Sequence, residues 1–214
     1  MPNDVNESTE KRGPAVREPA WLLLIAMAAW VYSGIGTQDR ATWLMETVWV
    51  PIGVSVLWAT RRRFPLTPLL YRLLCFHALV LILGGYYTYA HVPLGDWVKD
   101  ALGLARNPYD RLGHFTQGFV PAILVRELLL RTSPLRRGVW LYVLSVSVCM
   151  AFSAFYELIE WWAAVIGGSN AEAFLGTQGD VWDTQWDMFC ALVGANVALC
   201  LLGRVHDRQV AAIK

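Results

Sequence analysis

Six titratable residues stand at helical spacing within otherwise apolar stretches of this sequence. They form three pairs: Asp110 and His114, Glu157 and Glu160, Asp183 and Asp187. We call these six residues the carboxylate–histidine cluster. The members of each pair are three or four positions apart, so each pair shares one face of a helix. A charged side chain costs about 2.5–3.5 kcal/mol at the centre of a membrane helix, so acids in such stretches indicate a function or a buried partner.

The chemistry that best fits the cluster is metal binding. Carboxylates and one imidazole suit Zn²⁺, Mn²⁺ or Mg²⁺, and carboxylates that lie close together repel one another unless a cation or a proton lies between them. Four residues are predicted to be metal ligands or the catalytic base: Glu157, Glu160, Asp187 and His114. Asp183 and Asp110 are predicted to complete the metal site by supporting those ligands. Metal-activated water would then drive hydrolysis or group transfer on a lipid or cell-envelope substrate.

Two other functions use the same residues. The acids could form the relay of a proton- or cation-coupled transporter. However, the only charged residues in the inner halves of the predicted spans that could continue such a relay are Arg126 and Glu127. The sequence also shows no internal repeat of the kind that many transporters have. In a binding or scaffold protein, the cluster would only lock the helices together.

Some acids near the cluster have simpler explanations. Asp110 falls in the first turn of its helix, where an acid suits the helix dipole, and Asp180 can cap a helix with Asp183 as its partner. Glu46 can serve only to hydrogen-bond another span. The deeper residues, Glu157, Glu160, Asp187 and His114, lie too far from the helix ends for capping.

The composition places the cluster in a membrane. The 214 residues are 56% hydrophobic and only 16% charged, with mean hydropathy +0.38, whereas about a quarter of a soluble domain is charged. The net charge is +1 and no basic patch is interleaved with aromatic residues, so no nucleic-acid partner is predicted. The four cysteines lie in apolar runs without a CxxC pair, which favours buried thiols over a thiolate metal site.

Six apolar runs predict an all-α polytopic transmembrane bundle of about six spans. The predicted spans are about 20–36, 41–59, 69–90, 108–130, 139–165 and 181–203, within a membrane domain of residues 19–205. Residues 1–18 are predicted to be a disordered tail and residues 206–214 a second tail. Pro51 predicts a kink in the second run, and residues 96–104 are predicted to form a short interfacial helix.

The basic residues predict the orientation of the bundle. If both termini are cytoplasmic, 13 of the 18 Lys and Arg residues lie in cytoplasmic segments and four lie in the outer loops. The arginine run at residues 61–63 is therefore read as an orientation signal. In this topology His114 and Asp187 lie roughly 9 Å below the outer surface, and Glu46 lies roughly 8 Å below it. The cluster, with Glu46, is thus predicted to form an outward-facing site.

Three motifs resemble a known family. They are residues 109–115 (YDRLGHF), 156–161 (YELIEW) and 178–188 (QGDVWDTQWDM). Together they resemble the bacterial inner-membrane family typified by YjdF, over about residues 20–205. The resemblance implies a multi-span protein of the bacterial inner membrane and carries no activity. The predicted partners are the lipid bilayer, from the apolar composition, and a lipid or cell-envelope substrate, from the carboxylate–histidine cluster.

A looser resemblance reaches the VanZ-like proteins, which are linked to glycopeptide-antibiotic resistance. They also carry an Asp-x-x-x-His at a helix start, a Glu-containing helix and an Asp-rich helix that ends in Asn and Gly. Asp110 with His114, Glu157, and Asp183 and Asp187 with Asn196 match that arrangement. Glu160 stands where the VanZ-like pattern has Gln.

Overall fold

The computed structural model describes residues 17–167 and 177–213, and the regular secondary structure of these ranges is α-helical. The helices are α1 (Arg17–Gly36), α2 (Arg40–Thr47), α3 (Trp49–Thr60), α4 (Pro68–Tyr87), α5 (Pro93–Leu102), α6 (Tyr109–Thr132), α7 (Val139–Gly167) and α8 (Asp183–Ile213). The predicted tail at residues 1–18 lies outside the described residues except for its last two, which begin α1. In the loop predicted between the last two spans, residues 168–176 also lie outside them.

Within the described residues, five helical segments are long and apolar enough to cross a membrane. They are Glu18–Gly36, Arg40–Thr60, Pro68–Tyr87, Val139–Gly167 and Asp183–Ile213. The prediction of an all-α transmembrane bundle is therefore confirmed. α6 is more polar but has 24 residues, of which 12 are buried, and it packs against α4, α7 and α8. A helix surrounded by other helices can carry polar residues because little of it faces lipid.

α6 and α8 approach each other very closely through two glycines. A Cβ atom on Gly118 would lie 1.9 Å from the carbonyl oxygen of Ala191, and one on Gly194 would lie 2.0 Å from that of Phe115. Small residues let the backbones of membrane helices approach in this way. Because Gly118 is one turn from His114 and Ala191 is one turn from Asp187, this contact fixes the separation of those two side chains.

The second apolar run is divided into α2 and α3 at Val48, which agrees with the predicted kink. Pro51 has no N–H to donate, and its ring crowds the carbonyl group four residues earlier, that of Thr47. The break therefore falls one turn before the proline. It leaves Glu46 in the last turn of α2, where the side chain is buried.

A short helix, α5, lies in the loop before α6 close to where residues 96–104 predicted one. Trp97 and Leu102 are each 69% exposed, which suits an interfacial helix. Asn107 ties this loop to α6, because its amide donates to the carbonyl of Val92 and its side-chain oxygen accepts from the N–H of Tyr109.

A second buried polar group lies at the other ends of α6 and α8. Glu127 accepts hydrogen bonds from the backbone and hydroxyl of Thr67 and pairs with Arg131 at 2.6 Å and His206 at 3.0 Å. Arg126 pairs with Asp207 at 2.6 Å. We call these six residues the Glu127 network. α8 continues to Ile213, so residues predicted as a tail from 206 are helical up to that point.

Candidate functional site

Three helices carry the carboxylate–histidine cluster to one end of the bundle. Asp110 and His114 come from the start of α6, Glu157 and Glu160 from the end of α7, and Asp183 and Asp187 from the start of α8. All six side chains are buried, each residue being at most 8% exposed. The structure thus brings together all the predicted site residues, although they divide into groups with different partners.

His114 is the centre of the first group. Its Nε2 lies 3.8 Å from Oδ1 of Asp110 and 3.9 Å from Oδ2 of Asp187, and one ligand atom from each of the three residues lies within 4.8 Å of the others. Bonds of about 2.0–2.1 Å to a tetrahedral Zn²⁺ would set ligand atoms about 3.4 Å apart. The two distances from Nε2 exceed this spacing by about 0.4–0.5 Å, and the three atoms would have to approach one another by up to about 1.4 Å to share one ion.

The other nitrogen of His114 faces a different carboxylate. Nδ1 lies 3.8 Å from Oε1 of Glu157, which is beyond hydrogen-bonding distance. Glu157 also receives a hydrogen bond from the side chain of Thr184. In metal sites the free nitrogen of a ligand histidine donates to such a carboxylate, which fixes the tautomer of the ring.

Three buried polar atoms of this group have no hydrogen-bond partner among the described residues. They are Nδ1 of His114, Oε1 of Glu157 and Oδ1 of Asp187. An unsatisfied buried polar group costs about 1–3 kcal/mol. Since Asp187 is 1% exposed and His114 5%, bulk water does not reach them freely. The geometry therefore leaves interactions open for a ligand.

Arg106 occupies a second group with Asp183. It donates to Asp183 and lies 3.3 Å from Oδ2 of Asp110 and 3.7 Å from Asp180, which also pairs with Arg111 at 2.7 Å. Burial alone would lower the pKa of Arg106, but the hydrogen bond and charge of Asp183 raise it above its usual value. Asp183 therefore already has a counter-charge. Asp180 also accepts from the N–H of Trp182, but its own N–H donates to Thr177 and the carboxylate of Asp183 pairs with Arg106, so Asp183 is not the capping partner predicted for Asp180.

Glu46 and Glu160 line a partly open cavity of about 280 Å³, and Asp110 and His114 line it too. The hydroxyl of Tyr156 donates to Oε2 of Glu46 at 3.0 Å, and Tyr89 hydrogen-bonds the same carboxylate. Glu46 thus links α2 to α7, in agreement with its interpretation as a hydrogen-bonding residue between spans. Glu160 is not part of the three-residue group around His114.

The sequence did not single out several residues of this region. Arg106 was assigned only to an outer loop, although its spacing of four residues from Asp110 was a signal for an ion pair. His77 and Gln117 line the cavity, and Nδ1 of His77 lies 3.1 Å from the hydroxyl oxygen of Thr116. No spacing pattern connects His77 to the cluster, because it lies on a different helix, α4.

Comparison with known sequences identifies relatives of this chain. The family described as "Predicted membrane protein (DUF2238)" matches residues 18–208. The protein named "Inner membrane protein YjdF" of Escherichia coli (strain K12) is 56% identical over 180 residues, which cover 84% of this chain and 86% of that relative. No solved structure matches. The resemblance drawn from the three motifs is therefore confirmed. With its apolar helices, the chain belongs to the DUF2238 family as a multi-pass protein of the bacterial inner membrane.

Proposed function

We propose that this protein is a metal-dependent enzyme that acts on a lipid or cell-envelope substrate. The divalent ion would be Zn²⁺, Mn²⁺ or Mg²⁺. The proposal places it between Nε2 of His114 and the carboxylates of Asp110 and Asp187. The observation that carries it is the convergence of these three buried ligand atoms within 4.8 Å.

The three buried atoms without a hydrogen-bond partner in the described part of the chain favour a bound ligand over a purely structural role for the cluster. A network that only held the helices together would be expected to satisfy its own hydrogen bonds. The Glu127 network does so with four donors on one carboxylate. Around His114, by contrast, three buried atoms lack partners among the described residues, and carboxylates face one another.

The remaining residues have distinct roles in this proposal. Glu157 accepts the Nδ1 proton of His114 and orients its ring. Glu160, which lines the cavity, would accept a proton from the attacking water, and an ion held by His114, Asp110 and Asp187 would supply the Lewis acidity that lowers the pKa of that water. The water oxygen bonds to the acyl carbon or phosphorus of the substrate, the bond to the leaving oxygen breaks, and Glu160 returns the proton to that oxygen. Arg106 holds Asp183 and Asp110 in place.

Elemental analysis of the purified protein tests the proposal. We expect about one divalent ion per chain in the wild type and less than a tenth of that in His114→Ala and Asp187→Asn. Asp207→Asn is the matched control, because it removes a carboxylate at the other end of the bundle, and it should keep the ion. A wild type without metal, purified without chelator and after addition of each of the three ions, would contradict the proposal.

A proton- or cation-coupled transporter is the second candidate. It is favoured by two histidines that the sequence did not reveal: the partly buried His77 lines the cavity, and the fully buried His206 lies in the Glu127 network. These extend the series of polar groups along α6 toward the opposite end. Proton uptake by reconstituted vesicles, with His77→Gln as the variant that abolishes it, would favour this function over the first.

A further inference from the structure

The cavity that adjoins the cluster has two chemically different ends. Four titratable residues lie at one end: Glu46, Asp110, His114 and Glu160. Most of the remaining lining comes from apolar side chains of α1, α3, α4 and α6, among them Leu57 and Leu124. A pocket of this kind matches a molecule with an apolar body and a polar end.

The size of the cavity limits what it can hold. A volume of about 280 Å³ has room for roughly nine water-sized or methylene-sized groups, since each takes about 30 Å³. This corresponds to one alkyl chain of about ten carbons. The volume matches one alkyl chain more closely than the two chains of a diacyl lipid.

The border of the cavity between α3 and α7 faces the membrane. α3 packs against α1, α2 and α4, whereas α7 packs against α6 and α8. The rings of Trp49 on α3 and Phe152 on α7 meet edge to face, with centroids 6.3 Å apart. Both rings line the cavity, and these residues are 37% and 43% exposed. Side chains, which can rotate, thus separate the cavity from the lipid-facing surface.

We propose that the cavity binds the chain of a single-chain membrane amphiphile with a hydroxyl-bearing head group, which enters between α3 and α7. The head group lies against Asp110 and His114, and its hydroxyl groups donate to Glu46 and Glu160, because carboxylates accept hydrogen bonds and repel anions. This inference rests on the proposed function in one respect: it names the substrate class of the same site.

Gly53 offers a way to fill the cavity without disturbing the fold. It lies on α3 and lines the cavity, and a Cβ atom added to it would meet nothing within 4 Å. In Gly53→Leu the new side chain would take the space of the alkyl chain. Gly203→Leu is the matched control, because Gly203 lies on α8, does not line the cavity and also has no neighbour within 4 Å of an added Cβ.

Photolabelling with a defined probe tests the proposal. The probe is 1-O-decylglycerol with a diazirine at the end of the chain, added to the full-length protein in lipid nanodiscs. Tyr71 and Cys75 report on the cavity, because they line it and are only 6% and 9% exposed. We expect the probe to label the peptide that carries these two residues, and excess unlabelled decylglycerol to prevent this labelling. The labelling should fall at least tenfold in Gly53→Leu and stay unchanged in Gly203→Leu.

The outcomes separate this proposal from the proposed function. The neutral probe needs no ion, so labelling should persist in the presence of a chelator, and metal content is measured on the same samples. If only lipid-facing residues are labelled, and Gly53→Leu has the same melting temperature as the wild type, the cavity does not bind the alkyl chain. This result overturns the proposal even when a metal is bound. If Tyr71 or Cys75 is labelled and excess unlabelled decylglycerol removes the label, the cavity binds the alkyl chain. If the same protein contains no metal, only the proposed function is overturned.

Discussion

The two nitrogens of His114 face different carboxylates, and this assigns different tasks to residues that look equivalent in the sequence. Nε2 faces Asp110 and Asp187, whereas Nδ1 faces Glu157. If Nε2 binds the ion, Glu157 becomes the acceptor for Nδ1–H, and Asp110 becomes a ligand. The sequence predicted the reverse assignment for Glu157 and Asp110, and metal binding itself stays a prediction.

Glu157→Gln tests the role of the carboxylate behind His114. We expect metal affinity to fall about 10- to 100-fold, the usual effect of removing such a hydrogen-bond acceptor, while the ion is still bound at saturation. Competition with a chromogenic chelator measures the affinity. Glu46→Gln is the control, because it is also a buried glutamate but bonds Tyr156, and its metal affinity should stay within twofold. An unchanged affinity in Glu157→Gln would contradict the assignment.

The sequence allowed the cluster residues to be chosen because helical spacing depends on the sequence alone. Asp110 with His114, and Asp183 with Asp187, lie four residues apart and must share a face. The partners across helices could not be predicted in this way. Arg106 reaches Asp183 only because the loop before α6 folds back over the start of α8, a contact between residues 77 positions apart.

At the scale of elements, the close contact of α6 with α8 holds the site together. Gly118 and Gly194 face the backbone of the opposite helix, where no side chain can move aside. The distance between His114 and Asp187 therefore depends on residues that carry no functional group. The sequence marks these glycines only as residues that weaken a helix.

Gly118→Ala should separate the two helices. A methyl group 1.9 Å from the Ala191 oxygen cannot be accommodated without moving α8, and overpacking of this kind destabilises by about 1–3 kcal/mol. We expect a lower melting temperature in detergent and weaker metal binding. Gly203→Ala should instead be neutral or stabilising by up to about 1 kcal/mol, because alanine favours the helix. Equal melting temperatures for the two variants would refute the role of the contact.

The positions of most elements followed from hydropathy, and the exceptions have physical causes. The apolar run that predicted the last span ends near Gly203, but α8 continues to Ile213 because its polar residues pack against other elements. His206 is fully buried, and Gln209 accepts from the backbone of Leu69. Hydropathy does not register such partners, since they are contributed by residues distant in sequence.

At the scale of the whole molecule, α6 and α8 carry a buried polar group at each end. One is the carboxylate–histidine cluster, with open interactions, and the other is the Glu127 network, with satisfied ones. The same two helices connect them. We therefore predict that the Glu127 network contributes to stability and that the carboxylate–histidine cluster contributes to function.

The substitution Glu127→Gln tests whether the Glu127 network stabilises the fold. The amide cannot accept all the hydrogen bonds that the carboxylate receives, and removing one partner of a buried ion pair costs about 3–5 kcal/mol. We expect a large fall in melting temperature with unchanged metal content per folded chain. Loss of metal at constant melting temperature would contradict this division of roles.

The predicted orientation can be tested with single cysteines in a chain whose four native cysteines are replaced by alanine. Trp97 on α5 and Arg136 between α6 and α7 are both exposed and lie at opposite ends of the bundle. With both termini cytoplasmic, Trp97→Cys should react with a membrane-impermeant maleimide in intact spheroplasts, and Arg136→Cys should react only after lysis. The opposite pattern would reverse the orientation.

The border formed by Trp49 and Phe152 has a consequence for selectivity. An alkyl chain that passes between these two rings moves from the lipid tails of the bilayer into a cavity that is equally apolar. Its transfer therefore releases little free energy, whereas transfer from water would release much more. Discrimination must then come from the polar end. Analogues with one chain and different head groups should differ far more in affinity than analogues with one head group and different chains that fit the cavity.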